Sequence, residues 1–180
     1  MLRRAAIPRK LTGADHEEPY LTADPEYRMY ERQTEASMTV PVWTLLGFAT
    51  WTALLLLFTV GIYRWGRILS GRVSIRNFPA DAAGGEEWYR RATRAHANCI
   101  ENLPVFGAIV FGLYVGNVTG RLVDALATAV LIARIFQSLV HVGFVHTNTV
   151  ASVRFAFFFA QFVCFLWLIG MIVVTHAGTA

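Results

Sequence analysis

Four long apolar runs, separated by short polar connections, constrain the fold of this chain more than any other feature. A helix that crosses the roughly 30 Å hydrocarbon core of a bilayer needs about 20 mainly apolar residues. The runs cover residues 42–63, 88–115, 122–146 and 155–175. Hydrophobic residues make up 55% of the chain, above the roughly 45–50% apolar share of soluble domains. The sequence therefore predicts an all-α integral membrane protein.

The connections between these runs are short, and short connections favour antiparallel neighbours. We therefore expect residues 38–180 to form an antiparallel four-helix transmembrane bundle. Residues 1–37 are polar and punctuated by proline, with no apolar run. This composition predicts a disordered N-terminal tail. An alternative is that the natural protein begins at Met38.

The distribution of arginine predicts the orientation of the bundle. Most arginines of the membrane region lie around the first connection: Arg64, Arg67, Arg72, Arg76, Arg90, Arg91 and Arg94. The later connections hold only Arg121 and Arg154. By the positive-inside rule the first connection is cytoplasmic and both termini lie on the opposite side. The membrane would be a bacterial inner membrane or, in a eukaryote, the endoplasmic reticulum.

The net charge of +4 comes largely from arginines that flank the apolar runs. This placement suits membrane orientation, lipid contact and anion binding, and it gives no indication of nucleic-acid binding. Cys99 and Cys164 both fall inside apolar runs, which argues against a disulfide framework. The spacing of cysteine and histidine matches no metal site.

Polar residues inside the second and third runs are the candidates for a site. The stretch RRATRAHANCIENLP, residues 90–104, carries Arg94, Asn98 and Glu101 on one helix face into an apolar segment. The third run has a polar stripe at helical spacing, made of Arg134, Gln137, Ser138 and His141. An unpaired charge at the centre of a span costs roughly 2.5–3.5 kcal/mol. We therefore expect Glu101 to pair with Arg134, either as a staple between helices or as part of a site.

A second group of charges lies at the predicted cytoplasmic ends of the helices. It consists of Arg90, Arg91, Arg94 and Arg154, with Asn98 just below. One interpretation is contact with lipid headgroups. The other is a pocket for a small polyanion, because the planar fork of arginine matches carboxylates.

These residues also carry a resemblance. The stretch RATRAHANCIENLPVF resembles the second-helix signature of the MAPEG family, the membrane-associated proteins in eicosanoid and glutathione metabolism. Arg94, His96, Asn98, Glu101 and Pro104 stand at the matching places. The stretches ARIFQSLVH and SVRFAFFFAQ resemble the third helix and the start of the fourth helix of that family. The similarity covers residues 42–176.

The resemblance implies a homotrimer that binds glutathione as co-substrate between neighbouring subunits, near the cytoplasmic face. Arg94, Asn98 and Glu101 would hold the tripeptide, with His96 in a supporting position. Arg134 would belong to the same polar seam. Arg154 would be the catalytic residue that stabilises the glutathione thiolate, the nucleophilic form of a thiol whose pKa is about 8.5.

Three further positions are added to this predicted site. Arg64 and Arg91 are candidates for the same anion pocket. His141 stands where many members of the family have a tyrosine, and it would either donate a hydrogen bond in place of the hydroxyl or serve as an interior histidine.

Two hypotheses for the function follow. The first is a glutathione-dependent membrane transferase or peroxidase acting on apolar electrophiles delivered from the bilayer. The second is a non-catalytic trimeric membrane protein of the same fold with a structural buried ion pair. The converging arginines favour the first, because a staple needs only one cation.

Overall fold

The structure is a computed structural model that describes residues 38–72, 74 and 86–177. This part of the chain is all-helical and contains four helices long and apolar enough to cross a membrane. They are α1 (Val40–Leu69), α2 (Glu87–Val115), α3 (Arg121–Gly143) and α4 (Asn148–Ala177). The predicted four-helix transmembrane fold is confirmed. The predicted tail, residues 1–37, lies outside the described residues, as does Arg76.

The ends of the helices differ from those read from the sequence. Helix α1 continues to Leu69, α3 ends at Gly143, and α4 begins at Asn148 rather than near residue 155. Thr147 explains the early start of α4, because its Oγ1 accepts a hydrogen bond from the Val150 amide at 3.2 Å. This is the contact made by a helix N-cap. Residues 144–147 are thus the whole α3–α4 connection, and Arg154 lies within α4 rather than at its first residue.

Helix α1 is interrupted by a π-helical segment, Leu56–Gly61. Here the Thr59 hydroxyl donates a hydrogen bond to the Leu55 carbonyl. A π-helical turn acts as one extra residue in an α-helix and commonly occurs near functional sites. The segment packs against α2. Because of the extra residue, the last two turns of α1 that follow it have a shifted helical register.

The core is a line of aromatic rings across the bundle. The Phe106 ring of α2 lies 5.9 Å from the Phe48 ring of α1 and 5.9 Å from the Phe165 ring of α4. Helix α1 packs on α2 and α3, and α4 packs on α3 and α2. The outward faces remain apolar and exposed, as expected of surfaces that meet lipid.

Contacts between the helices fix which ends lie together. Arg64 of α1 reaches Tyr89 of α2, and Arg91 of α2 reaches Val142 of α3. The short 144–147 connection then brings the start of α4 beside the end of α3. One end of the bundle therefore gathers the C-terminal ends of α1 and α3 and the N-terminal ends of α2 and α4.

Candidate functional site

A cavity of about 770 Å³ opens at this end of the bundle. Four arginines and one glutamate are among its lining residues. We call it the basic cavity, and it is lined by Glu87, Arg90, Arg91, Arg94, His141, Phe144, Val145, His146, Val150 and Arg154. Helix α2 supplies the first four of these at helical spacing, so they share one face. The site thus combines a dense positive charge with an open cavity at one end of the bundle.

The glutamate of the basic cavity compensates only part of that charge. Glu87 lies 3.7 Å from Arg90 and 3.9 Å from Arg91, both long contacts on an exposed carboxylate. Arg91 also donates a hydrogen bond from Nε to the Val142 carbonyl at 3.3 Å. Within the described residues, no ion pair reaches Arg94 or Arg154. The buried Nε of Arg154 likewise has no hydrogen-bond partner there.

A second, smaller cavity of about 330 Å³ lies deeper along the helices. We call it the inner cavity, and it is lined by Asn98, Glu101, Asn102, Arg134, Gln137, His146, Ala151, Arg154, Phe155 and Phe158. Two side chains, His146 and Arg154, belong to both cavities. Arg154 therefore lies at the boundary between the basic cavity and the inner cavity, which is partly apolar.

Arg134 is the most buried charge of the inner cavity, with 1% of its surface exposed. Its Nη1 donates a long hydrogen bond of 3.4 Å to the Asn98 carbonyl, and its guanidinium lies 5.3 Å from the centre of the Phe48 ring. Its Nε and Nη2 have no partner among the described residues. Two nitrogens of a buried cation, which together carry three N–H groups, thus have no hydrogen-bond acceptor within the described part of the chain.

The predicted ion pair between Glu101 and Arg134 is not formed in the single chain. Both side chains line the inner cavity, but no ion pair joins them in the described part of the structure. The reason is direction: Arg134 extends toward the α2 backbone and the Phe48 ring, whereas Glu101 lies on the exposed side of α2. A carboxylate exposed at membrane depth is costly unless something covers it.

The comparison with protein families decides what kind of bundle this is. The model of the MAPEG family matches residues 40–174, most of the chain. The chain belongs to the MAPEG family. Members share a four-helix membrane bundle and include glutathione transferases and peroxidases as well as non-catalytic proteins. No curated protein and no solved structure gives a significant match to this MAPEG chain.

Most of the predicted site residues of this MAPEG chain are brought together by the fold. The basic cavity collects Arg91, Arg94, His141 and Arg154, and the inner cavity collects Asn98, Glu101, Arg134 and Arg154. The polar stripe predicted on α3 is confirmed as an interior feature, because Arg134, Gln137, Ser138 and His141 are all buried. These residues come from three helices, and their roles toward a ligand stay predictions.

Two predicted positions lie elsewhere. His96 lies against Thr52 of α1 and lines neither cavity. Arg64 points to Tyr89, whose hydroxyl accepts a hydrogen bond from its Nε at 2.6 Å. Arg64 also lies 5.9 Å from the centre of the Tyr89 ring. The physical cause for His96 is helical spacing, since two residues along a helix separate it from Arg94 by about 200°.

Several lining residues were not predicted for the site. His146 in the α3–α4 connection lines both cavities, and its nearness to Arg154 in the sequence was the available signal. Asn102 also lines the inner cavity and was visible as a polar residue inside an apolar run, whereas Gln137, which lines it too, was predicted as part of the polar stripe but given no ligand. Gln161 is buried behind them and lines neither cavity.

Proposed function

We propose that this MAPEG chain is a glutathione-dependent membrane transferase or peroxidase that acts on apolar electrophiles. The observation that carries the proposal is a basic cavity whose arginines are largely uncompensated and which shares Arg154 with an inner, partly apolar cavity. A staple between helices would need one buried cation. Four arginines around one open space instead favour an anionic ligand.

Glutathione fits the charges of the two cavities. It carries two carboxylates, which arginine binds with paired, charge-assisted hydrogen bonds. Arg91 and Arg94 would bind these carboxylates from the basic cavity, with His141 beside them. The amine of glutathione would pair with the Glu101 carboxylate, and Asn98 and Arg134 would contact the part of glutathione that lies in the inner cavity.

Arg154 is the group best placed to activate the thiol. A cation close to a thiol lowers its pKa by favouring the thiolate, which is the attacking nucleophile. In a transfer reaction the sulfur forms a bond to the electrophilic carbon and the leaving group departs with its electron pair. Phe155 and Phe158, both exposed toward the membrane, line the inner cavity beside Arg154 and give an apolar acceptor a path from the bilayer.

A homotrimer belongs to the same proposal. Glu101 is exposed in the single chain although it lies within a membrane-spanning helix. A neighbouring copy packed over this side of α2 would remove the carboxylate from lipid and complete the wall of the inner cavity. Glutathione would then lie between two copies and stabilise their contact.

The alternative is a non-catalytic membrane protein of the same fold. One observation favours it: Arg134 is partly accommodated by the chain itself, through the Asn98 carbonyl and the Phe48 ring. Under this alternative Arg134 would be a structural residue, and glutathione would not bind.

The decisive experiment measures glutathione binding and thiolate formation in detergent-solubilised protein. We expect calorimetry to show glutathione binding and ultraviolet difference absorbance to show a bound thiolate. Arg154→Ala should raise the pKa of the bound thiol by about 1–3 units, because one adjacent positive charge is lost. Arg121→Ala, at the opposite end of α3, is the matched control and should leave the thiolate signal unchanged. If the well-folded protein binds no glutathione, the proposed glutathione-dependent activity is wrong.

A further inference from the structure

Helices α3 and α4 are joined by two buried amide side chains that the proposed function leaves unused. Gln137 and Gln161 are 7% and 1% exposed. Gln161 donates a hydrogen bond from Nε2 to Oε1 of Gln137 at 3.0 Å, and Gln137 donates one from Nε2 to the Arg154 carbonyl at 3.2 Å. The amide of α3 is therefore held at two places along α4.

The direction of this chain of bonds is fixed by its two ends. The Arg154 carbonyl can only accept, so Gln137 must turn its NH₂ group toward it and leave Oε1 for Gln161. The second Nε2 hydrogen bond of Gln161 goes to the Phe157 carbonyl at 3.0 Å, which also can only accept. Both ends thus impose one orientation on Gln137.

The place where Gln137 holds α4 matters for the site. Arg154 lies near the start of α4, after a connection of only a few residues, and it lines both cavities. The stacked rings of Phe136 and Phe157, 6.1 Å apart, pack the same α3–α4 contact. The hydrogen bonds of the two glutamine side chains are directional, so they determine where the Arg154 backbone lies relative to α3.

We infer that Gln161 is a positioning residue: it orients Gln137, which holds the Arg154 backbone and so positions a residue that lines both cavities. The inference rests on the proposed function for its catalytic consequence. Gln161 itself lines neither cavity, and its one hydrogen bond to another helix in the described part of the chain goes to Gln137, so we expect its effect on bound glutathione to pass through Gln137. Gln137 lines the inner cavity and therefore cannot be tested as cleanly.

Gln161→Met is the test, because methionine keeps the length of the side chain and removes the amide. Interhelical hydrogen bonds in membranes contribute about 0.6 kcal/mol on average and about 1.7 at most. The bound thiolate fraction and kcat should accordingly fall between about threefold and about twentyfold. Glutathione affinity should change by less than about twofold, because the α2 arginines keep their places. Thr128→Ala, which removes a hydroxyl bonded within α3 at a residue that lines neither cavity, is the matched control and should leave both quantities unchanged.

A readout without glutathione separates this inference from the proposed function. Phenylglyoxal modifies accessible arginine, and peptide mass spectrometry reports its rate at Arg154. Gln161→Met should change that rate at Arg154 and leave Arg121 as in the parent protein. If the parent protein binds no glutathione but the Arg154 rate still changes, the proposed function fails and the positioning role stands.

A double-variant comparison tests the route through Gln137. If Gln161 acts only by orienting Gln137, then Gln137→Met combined with Gln161→Met should lower kcat no further than Gln137→Met alone. Additive losses would overturn the inference. So would an unchanged thiolate and an unchanged Arg154 labelling rate in Gln161→Met. If that variant does not assemble, Gln161→Asn keeps the amide but is too short to reach Gln137, and failure of both to assemble would show a purely structural role.

Discussion

The substitution Arg134→Met separates a ligand-binding arginine from a structural ion pair. An arginine at the centre of a spanning helix costs roughly 2.5–3.5 kcal/mol when unpaired. In this chain one long hydrogen bond to the Asn98 carbonyl offsets about 1 kcal/mol. The position above the Phe48 ring offsets about 1 kcal/mol more. A net cost of about 1 kcal/mol therefore remains with the buried cation.

Methionine has a similar length and carries no charge, so Arg134→Met should be at least as stable as the parent protein. A gain of about 1 kcal/mol corresponds to a rise in Tm of about 2–4 °C for a chain of this size. Glutathione affinity should fall at the same time, because the substitution removes from the lining of the inner cavity a cation whose Nε and Nη2 have no hydrogen-bond partner among the described residues. A charge-assisted hydrogen bond contributes about 1.5–3 kcal/mol, so the affinity should fall by roughly tenfold to hundredfold.

The assay is thermal unfolding of detergent-solubilised protein followed by circular dichroism, with calorimetry for glutathione. If Arg134 and Glu101 instead form a structural pair in the assembled protein, the substitution leaves a buried carboxylate uncompensated and costs about 3–5 kcal/mol. Adding Glu101→Gln to that variant should then recover most of the loss. A large loss of stability with this recovery, or an unchanged glutathione affinity, would contradict a ligand-binding role for Arg134.

Two further substitutions test the packing outside the cavities. Tyr89→Phe removes the hydroxyl that accepts the Arg64 hydrogen bond, and it should lower the free energy of unfolding by about 1 kcal/mol without changing glutathione affinity in calorimetry. Gly47→Val places a side chain where an added Cβ would lie 2.9 Å from Leu131, and chemical or thermal unfolding should show a loss of about 1–3 kcal/mol. Gly66→Val, where nothing lies within 4 Å of the added Cβ, is its control on the same helix and should show no such loss.

The fold was largely predictable because a bilayer sets the length of each element. Four runs long enough to span hydrocarbon, with short connections, leave few arrangements other than a bundle. The start of α4 was not predictable from hydropathy, because residues 148–154 include polar side chains that are typical of a loop. A single hydroxyl, that of Thr147, caps the helix there. Such a cap depends on local geometry rather than on the apolar pattern.

The site was predictable where its residues share one helix and less so where they come from several. Arg91, Arg94 and Asn98 follow helical spacing on α2 and do line the cavities. The place of His146 depends on the path of the 144–147 connection between α3 and α4, which no periodic pattern in the sequence predicts. The approach of Glu101 to Arg134 likewise depends on the direction in which a long, flexible side chain extends.

The π-helical segment of α1 has a consequence for how members of this family are aligned. One extra residue in a helix turns every later side chain by about 100°. The helical register of α1 after Gly61 is therefore shifted by one residue from the register before Leu56. An alignment without a gap against a member whose first helix is regular would equate Arg64 with a residue on another face. The face on which Arg64 lies, and so whether an alignment assigns it to the anion site, thus depends on the extra residue of the π-helical segment that precedes it.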